Sequence, residues 1–292
     1  MLVDVRGRKL LILLAVLTVG LAVTAACNTG DKNEQAPSTA GPDSTISPSS
    51  GTPGTPVPTV ESRATVTPSA YEPPANSANV LDNPGFEDGN EYWFGLGDQT
   101  VETTSAVAHS GHTSAYLKMR GAAEATGAEL YNLVQEVAPQ EFPELISGYY
   151  QVDNWKRGTE KQYLQFAVVV FASTNLTLDK AGVPLPTPYP NHQVLYPLAG
   201  ISVDPLDPAL LANAFVIFVG RDEPRQGEWV YFESNIKKDF EEKWGAVPEG
   251  YSKIRLLFGV RYDDKQAGNA AEADVYYDDL YLGPAEANPN TP

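Results

Sequence analysis

Short runs of apolar residues alternating with polar ones recur through this chain, and they constrain its fold more than any other feature. In such runs successive side chains point to opposite faces, as in strands with one buried face. Gly and Pro turns separate the runs, and amphipathic helical patterns are scarce. The chain is therefore predicted to be all-β, with a β-sandwich architecture. The predicted strands are Thr113–Met119, Ala128–Ala138, Glu144–Asp153, Gln162–Ala172, Ala214–Val219, Glu228–Ser234, Lys253–Asp263 and Ala273–Gly283, with a further short one near Asn79–Leu81.

One helix interrupts the strand pattern, in the segment "NIKKDFEEKWG". Asn235 can cap its start, Phe240 and Trp244 share a face, and Gly245 can end it. This spacing predicts a short helix that covers one end of the core.

A Pro-rich segment between Ser173 and Leu211 also departs from the pattern. It is predicted to be a long irregular loop, which we denote the 174–211 loop. Its apolar residues favour a loop that packs on the sandwich over a floppy one.

The N-terminus has the features of a secretion signal. Arg6, Arg8 and Lys9 precede the apolar run 10–23, which is short for a membrane span. Small residues then lead to Cys27, as in the lipobox of bacterial lipoproteins, where this cysteine is lipidated. Ordinary cleavage after Ala-x-Ala is the alternative. We expect a lipoprotein signal peptide at residues 1–26 and a lipid anchor on Cys27, in the cell envelope outside the cytoplasmic membrane.

Cys27 is the only cysteine, so an intramolecular disulfide or a Cys-based metal site is excluded. Residues 27–75 are rich in Ser, Thr and Pro, and cannot bury enough surface to offset their conformational entropy. They are predicted to be a disordered tether. The folded domain is predicted at residues 76–285, followed by a disordered tail at 286–292.

The charge of the chain limits its partners. The net charge is −17, and removal of Arg6, Arg8, Lys9 and Asp4 with the signal peptide makes it −19. Such a balance argues against nucleic acid as a partner and suits calcium or a neutral ligand.

Three motifs carry a resemblance to a known family. "NVLDNPGFEDG" followed by "YW", then "AHSGHTSAYLKM", and finally "VYYDDLYLG" occur in that order between Asn79 and Gly283. Together they resemble the bacterial carbohydrate-binding modules of the galactose-binding-like jelly-roll type, related to the cellulose- and xylan-binding families 4, 9 and 22. The resemblance implies a jelly roll that binds a polysaccharide or glycan. It also implies that Glu87 and Asp278 match positions that hold a structural calcium ion.

The residues themselves also point to a cation. Strict alternation in "VYYDDLYL" places Asp278 on the core face with Leu280 and Leu282, and Glu87 follows the apolar Phe86. A buried carboxylate needs a cation or several donors. Structural Ca²⁺ is therefore predicted at Glu87 and Asp278. The alternative is that both carboxylates accept backbone hydrogen bonds at turns.

The same alternation predicts a face that could bind a ligand. Its outward residues mix aromatic rings with planar polar groups, which suit the C–H faces and hydroxyls of a sugar. The alternative is that these residues lie under the 174–211 loop as a second small core. The candidate ligand-binding residues are Tyr149, Gln151, Asp153, Trp155, Tyr163, Gln165, Arg255 and Arg261.

No pattern of a nucleophile, phosphate loop or metal-activated water was found, so the chain is predicted not to be an enzyme. The predicted function is that of a surface-tethered, non-catalytic carbohydrate-binding lipoprotein. A structural or protein-interaction sandwich domain at the cell surface is the alternative.

Overall fold

The computed structural model describes only part of the chain, and every structural statement below concerns that part. The described residues are 78–96, 99–121, 124, 126–158, 161–171, 191–201 and 213–290, without the side chain of Asp264. The predicted signal peptide, Cys27 and the tether lie outside these residues.

Ten strands lie in the described residues and form two five-stranded sheets. The strands are β1 (Glu102–Thr104), β2 (Ser114–Arg120), β3 (Gly127–Val137), β4 (Leu145–Lys156), β5 (Gln162–Phe171), β6 (Asn191–Ala199), β7 (Ala214–Val216), β8 (Val230–Ser234), β9 (Lys253–Lys265) and β10 (Glu272–Gly283). Sheet 1 has the order β1-β2-β10-β4-β8, and sheet 2 has the order β3-β9-β5-β6-β7. All pairs are antiparallel except β6 with β7. The predicted β-sandwich is confirmed.

The core lies between the two sheets and combines aliphatic side chains with a central group of aromatic rings. Phe166, Phe232 and Phe258 meet there with centroid distances of 5.3 to 6.2 Å. Tyr277 of sheet 1 crosses the core and donates its hydroxyl to the carbonyl of Gly259 in sheet 2 (3.2 Å). Burying such rings is a major favourable term in folding, so these residues hold the sheets together.

One helix, α1 (Ile236–Trp244), lies in the described residues where the sequence predicts it. Asn235 caps it by accepting a hydrogen bond from the backbone N–H of Lys238 (2.9 Å). Gly245 ends it in the left-handed conformation (φ 82°). Phe240 and Trp244 are buried in the main core.

Two predictions about irregular segments are wrong. Within the predicted 174–211 loop, residues 191–199 form strand β6, whose Val194 and Tyr196 are buried in the core. The prolines of this segment favoured a loop, but buried and partly exposed side chains alternate along the first residues of β6, as in a strand. Residues 172–190 and 202–212 of that loop lie outside the described residues.

The predicted disordered tail is ordered as far as Asn290. Its side chain donates to Ser147 Oγ (3.1 Å) and to the carbonyl of Asp279 (2.6 Å). A polar tail can order when it satisfies buried polar groups on a sheet, and the 0% exposed Ser147 is such a group.

Candidate functional site

The eight candidate ligand-binding residues do not share one face. Tyr149, Gln151, Asp153 and Trp155 belong to β4 in sheet 1, whereas Tyr163 and Gln165 belong to β5, and Arg255 and Arg261 to β9, in sheet 2. The prediction of a single face is therefore wrong. Alternation distinguishes inward from outward residues, but it does not say which of two sheets a strand joins.

The outer face of sheet 1 carries a group of aromatic rings around Tyr149. The imidazole of His109 stacks on Tyr149 with ring centroids 3.7 Å apart, and Trp229 meets the imidazole edge-on at 5.5 Å. Tyr231, directly opposite Tyr149 on β8, lies 5.4 Å from it. His109 Nδ1 lies 2.6 Å from Asp279 Oδ2, which fixes the orientation of the imidazole. Tyr149, Trp229 and Tyr231 remain partly exposed.

A second aromatic pair lies on the same face. Tyr116 of β2 and Tyr276 of β10 are directly opposite and stack at 5.2 Å. Tyr276 of β10 is directly opposite Gln151 of β4. The Tyr116–Tyr276 pair is therefore two residues along β4 from Tyr149. That separation is roughly 7 Å. Both groups stand on one sheet with amide and carboxylate groups between them.

Asp274 anchors the second pair. Its carboxylate, 4% exposed, accepts hydrogen bonds from Tyr116 (2.8 Å), Arg120 (2.7 Å) and the amide of Asn154. Burial raises the pKa of Asp274, but these three partners outweigh it and hold the pKa below its usual value. The ionised carboxylate therefore orients Tyr116 on the face.

Trp155 is turned away from this face. Asn154 has a positive φ of 50°, which accompanies a register shift between β4 and β10 and breaks the alternation that predicted an outward Trp155. The indole packs against the core and donates to Glu223 (2.6 Å). Asp153 stays on the face and accepts from the side chain of Gln151 (3.2 Å).

The outer face of sheet 2 is covered at its centre. Tyr163 is buried and donates to Asp263 (3.0 Å), which also accepts from Arg261 (2.6 Å). Gln165 is 2% exposed, and its Oε1 has no hydrogen-bond partner among the described residues. Arg255 is engaged by Glu136 (2.6 Å).

Next to Gln165 lies a small second core of Val134, Ala167 and Leu257, with Leu96, Leu130 and Leu195 packed against it. Tyr163 and Gln165 are thus buried, as the alternative of a covered sheet has it, whereas Arg255 and Arg261 are partly exposed. Residues 172–190 and 202–212 of the loop that was to cover them lie outside the described residues.

Glu87 and Asp278 meet the same loop, residues 109–113, from two sides. The backbone N–H groups of His109 (2.8 Å) and Ser110 (3.3 Å) donate to Asp278 Oδ2. Those of His112 (2.8 Å) and Thr113 (3.0 Å) donate to Glu87 Oε1. The opening turn and the closing strand are thus joined through this loop.

Asp278 lies on the outer side of sheet 1, because it is directly opposite Tyr149. The prediction that it points inward with Leu280 and Leu282 is wrong, and Tyr277 is the inward residue. A bulge at Asp279, whose φ is +49°, shifts the alternation between the two parts of the strand. Burial, with the neighbouring Asp279 carboxylate, raises the pKa of Asp278 to about 8.

The groups that surround these carboxylates differ from the oxygen ligands of a calcium site. Calcium takes roughly six to eight oxygen ligands. Both oxygens of Asp278 and Oε1 of Glu87 face N–H donors instead. Among the described residues no group of three or more His, Cys, Asp or Glu side chains could hold a metal. As arranged, the residues fit the alternative of backbone acceptors better than calcium, and the calcium site stays a prediction.

Several residues of the outer face of sheet 1 were missed from the sequence. Tyr276 could have been found, since Ala273, Val275 and Tyr277 alternate with it and form the inner face. Tyr231 alternates in the same way with the buried Phe232. His109 and Trp229 come from loops, where no periodic pattern assigns a face.

Comparison with known proteins gives matches only among solved structures, at low sequence identity. No family model matches the chain, and no curated protein matches it. Among solved structures, the family 61 carbohydrate-binding module TmCBM61, in complex with β-1,4-galactotriose, is 16% identical with a TM-score of 0.37, and the match covers 70% of this chain and 98% of that one.

Two further solved structures show the range of the matches. The C-terminal family 22 carbohydrate-binding module of Clostridium thermocellum Xyn10B is 14% identical with a TM-score of 0.34, and the match covers 73% of this chain and 96% of that one. The enzymatically active domain of tailspike protein 4 of bacteriophage CBA120 is 15% identical with a TM-score of 0.33, and the match covers 70% of this chain but 21% of that one. The similar structures thus include both binding modules and an enzyme domain.

A search of the described residues for helices with the length and hydropathy to cross a membrane found none.

Proposed function

We propose that this chain is a non-catalytic glycan-binding protein, which binds its ligand on the outer face of sheet 1. The observation that supports the proposal is the pair of partly exposed aromatic groups on that face. Tyr149 with His109 and Trp229 forms one, and Tyr116 with Tyr276 forms the other. Aromatic rings cover the apolar face of a sugar, while amides and carboxylates beside them hydrogen-bond its hydroxyls.

The polar groups between the rings suit an uncharged ligand. Gln151, Asp153 and Asp279 supply acceptors on this face, and Arg120 is already paired with Asp274. Carboxylates in this number repel an acidic chain, but they accept hydrogen bonds from sugar hydroxyls. A neutral polysaccharide therefore fits the face better than an acidic one.

The cell-surface location belongs to the same proposal. Its support is the signal-like N-terminus, the position of Cys27 and the Ser/Thr/Pro-rich segment 27–75 behind it. In this arrangement the tether carries the sandwich away from a membrane to which Cys27 is bound through lipid.

The experiment is a glycan-array screen followed by titration with variants from both sheets. Tyr149→Ala and Tyr276→Ala each remove a ring from the outer face of sheet 1. Each loss should weaken binding about two- to tenfold, from roughly 0.5–1.5 kcal/mol per aromatic contact. Tyr163→Phe, on the covered face of sheet 2, is the matched control and should bind as the parent does.

Either of two results would contradict the proposal. One is a chain that binds no glycan on the array. The other is binding that survives both sheet 1 variants but falls in Tyr163→Phe, which would move the ligand to sheet 2.

A second candidate function is a protein-interaction or structural role at the cell surface. It is favoured by the covered centre of sheet 2, where Gln165 and Ala167 are buried. Loss of all glycan binding with retention of a folded, monodisperse chain would favour it.

A further inference from the structure

A cleft of about 290 Å³ opens at one edge of the sandwich, apart from the two outer faces. It lies between β8 of sheet 1 and the end of β6 in sheet 2, beneath residues 219–225. Tyr150 and Phe232 form its aromatic wall, and Leu198 its apolar wall.

The segment over the cleft is held by backbone hydrogen bonds to sheet 2. The N–H groups of Val219 (3.0 Å) and Gly220 (3.2 Å) donate to the carbonyl of Pro197, and Gly200 N–H donates to Asp222 (2.7 Å). A Cβ at Gly220 would stand 2.2 Å from the carbonyl oxygen of Leu198, so this close approach requires glycine.

The same segment is tied to sheet 1 on its other side. Gly227 N–H donates to the carbonyl of Val152 (3.0 Å), and Gln226 accepts from the backbone of Trp155 (2.9 Å). The cleft is therefore held open between two anchored ends. A ligand would enter a site that needs little ordering, which lowers the entropic cost of binding.

Hydrogen-bond donors face this cleft. Tyr150 is only 6% exposed. Its hydroxyl makes no hydrogen bond with any described residue. Arg225 lines the same cleft as Tyr150. Burial raises the pKa of Tyr150 to about 12, and the Arg225 guanidinium opposes that rise. Arg225 is held loosely, 3.7 Å from Glu228.

The acidic groups on the rim are partly neutralised. Glu223 is bound by Arg157 (2.6 Å) and by the indole N–H of Trp155 (2.6 Å). Asp222 lines the same cleft, as do Arg221 and Arg225. The hydroxyl of Tyr150 and the guanidinium of Arg225 can therefore donate hydrogen bonds to an acceptor on a ligand.

We propose that this cleft is a second binding site, for a single ring-shaped ligand that carries a carboxylate, such as one uronic acid residue. Its volume is at the lower end of ligand pockets, which suits one ring. The carboxylate accepts from Arg225 and from the hydroxyl of Tyr150, and the ring packs on Phe232. A guanidinium matches the geometry of a carboxylate, so the site selects the charged sugar over its neutral parent.

The test is calorimetric titration of the purified full-length chain with D-glucuronate and D-galacturonate, and with D-glucose and D-galactose as neutral matches. We expect one of the uronates to bind more tightly than its neutral match by about tenfold or more, as for hydrogen bonds to a charged group. Tyr150→Phe and Arg225→Gln should each weaken uronate binding to a similar degree. Arg225 is exposed, so its replacement leaves the core intact.

Tyr163→Phe is the control, because it removes a buried tyrosine hydroxyl from sheet 2, outside the lining of the cleft, and should leave uronate binding unchanged. No uronate binding, equal binding of the neutral sugars, or binding that persists in both cleft variants would overturn the proposal. Glycan binding on the outer face of sheet 1 is measured separately with Tyr149→Ala, so either site can fail without the other.

Discussion

At the scale of single residues, the carboxylate of Asp274 orients the side chains around it on the outer face of sheet 1 by accepting their hydrogen bonds. Its folded-state pKa is held below the usual value, so the stability it contributes is present above about pH 4, near the pKa in the unfolded chain. That contribution is lost as the pH falls through the folded-state pKa. We expect Arg120→Met to lower the free energy of unfolding by about 1–2 kcal/mol at pH 7, with a smaller loss near pH 3. Arg120 is 37% exposed, so solvent screens part of its effect.

Denaturant unfolding between pH 3 and pH 8 measures this difference. Lys118→Met is the control, because Lys118 is an exposed cation on the same strand, with no ion pair among the described residues. A deficit in Arg120→Met that is the same at pH 3 and pH 7 would show that the arginine acts through packing and its hydrogen bonds to the carbonyls of Met119 and Ala273, without a contribution from the Asp274 charge.

At the scale of elements, the loop of residues 109–113 depends on Gly111. This glycine has a φ of +59°, and a Cβ there would stand 2.3 Å from Glu87 Oε1. Gly111→Ala must therefore displace the carboxylate that accepts the loop's N–H groups. We expect a loss of about 2–4 kcal/mol in the free energy of unfolding, which combines backbone strain with lost hydrogen bonds.

Gly89→Ala is the matched control in the same thermal or denaturant melts. Gly89 has a similar φ of +68° but no atom near the position of a Cβ, so it should show the strain of about 1 kcal/mol without the clash. Equal losses in the two variants would mean that the contact with Glu87 contributes nothing measurable.

The elements also show how far alternation can be followed in a sequence. In β4 it assigns Ile146 to Val152 correctly, and in β9 it places Leu256 and Phe258 in the core. The assignment by alternation fails beyond Asn154 and at Asp279. At each place a residue with positive φ adds a bulge that the residue types do not predict. Bulges are decided by backbone strain and neighbouring contacts, so a local pattern does not reveal them.

The candidate site was predictable in part for the same reason. Tyr149, Gln151 and Asp153 were identified because their strand alternates cleanly. Their partners His109 and Trp229 come from loops whose positions depend on long-range pairing. The division of strands between two sheets is likewise a property of the whole topology, so Tyr163 and Arg261 were assigned to the wrong face.

At the scale of the whole molecule, the predicted calcium ion would join the opening turn to the closing strand. Were it bound at 100 times its dissociation constant, the folded state would gain roughly 2.7 kcal/mol. That gain corresponds to roughly 2–4 °C in Tm for each kcal/mol in a domain of this size. The measurement is thermal melting of the parent with EGTA and with millimolar calcium.

Asp278→Ala is the companion variant for the calcium prediction. A rise in Tm that is lost in this variant would support a site at Asp278. If the Tm of the parent is the same with EGTA and with calcium, Glu87 and Asp278 act only as acceptors of hydrogen bonds from backbone N–H groups.

The proposed lipid anchor is also a property of the whole molecule. Replacing Cys27 removes the thiol that would carry the lipid, so Cys27→Ser should move the protein from the membrane fraction to the soluble fraction. Cell fractionation and immunoblotting of the parent and the variant measure this. Ser44→Ala within the tether is the control and should fractionate as the parent does, whereas a membrane-bound Cys27→Ser would contradict the lipobox prediction.

Strand β10 follows every other strand in the chain, yet it lies between β2 and β4 in sheet 1. A chain being synthesised cannot assemble that sheet until residues 272–283 have left the ribosome. Until then the edges of β2 and β4 are unpaired and open to other chains. Shortened chains that end before Glu272 should therefore aggregate or be degraded, even though they retain all of sheet 2.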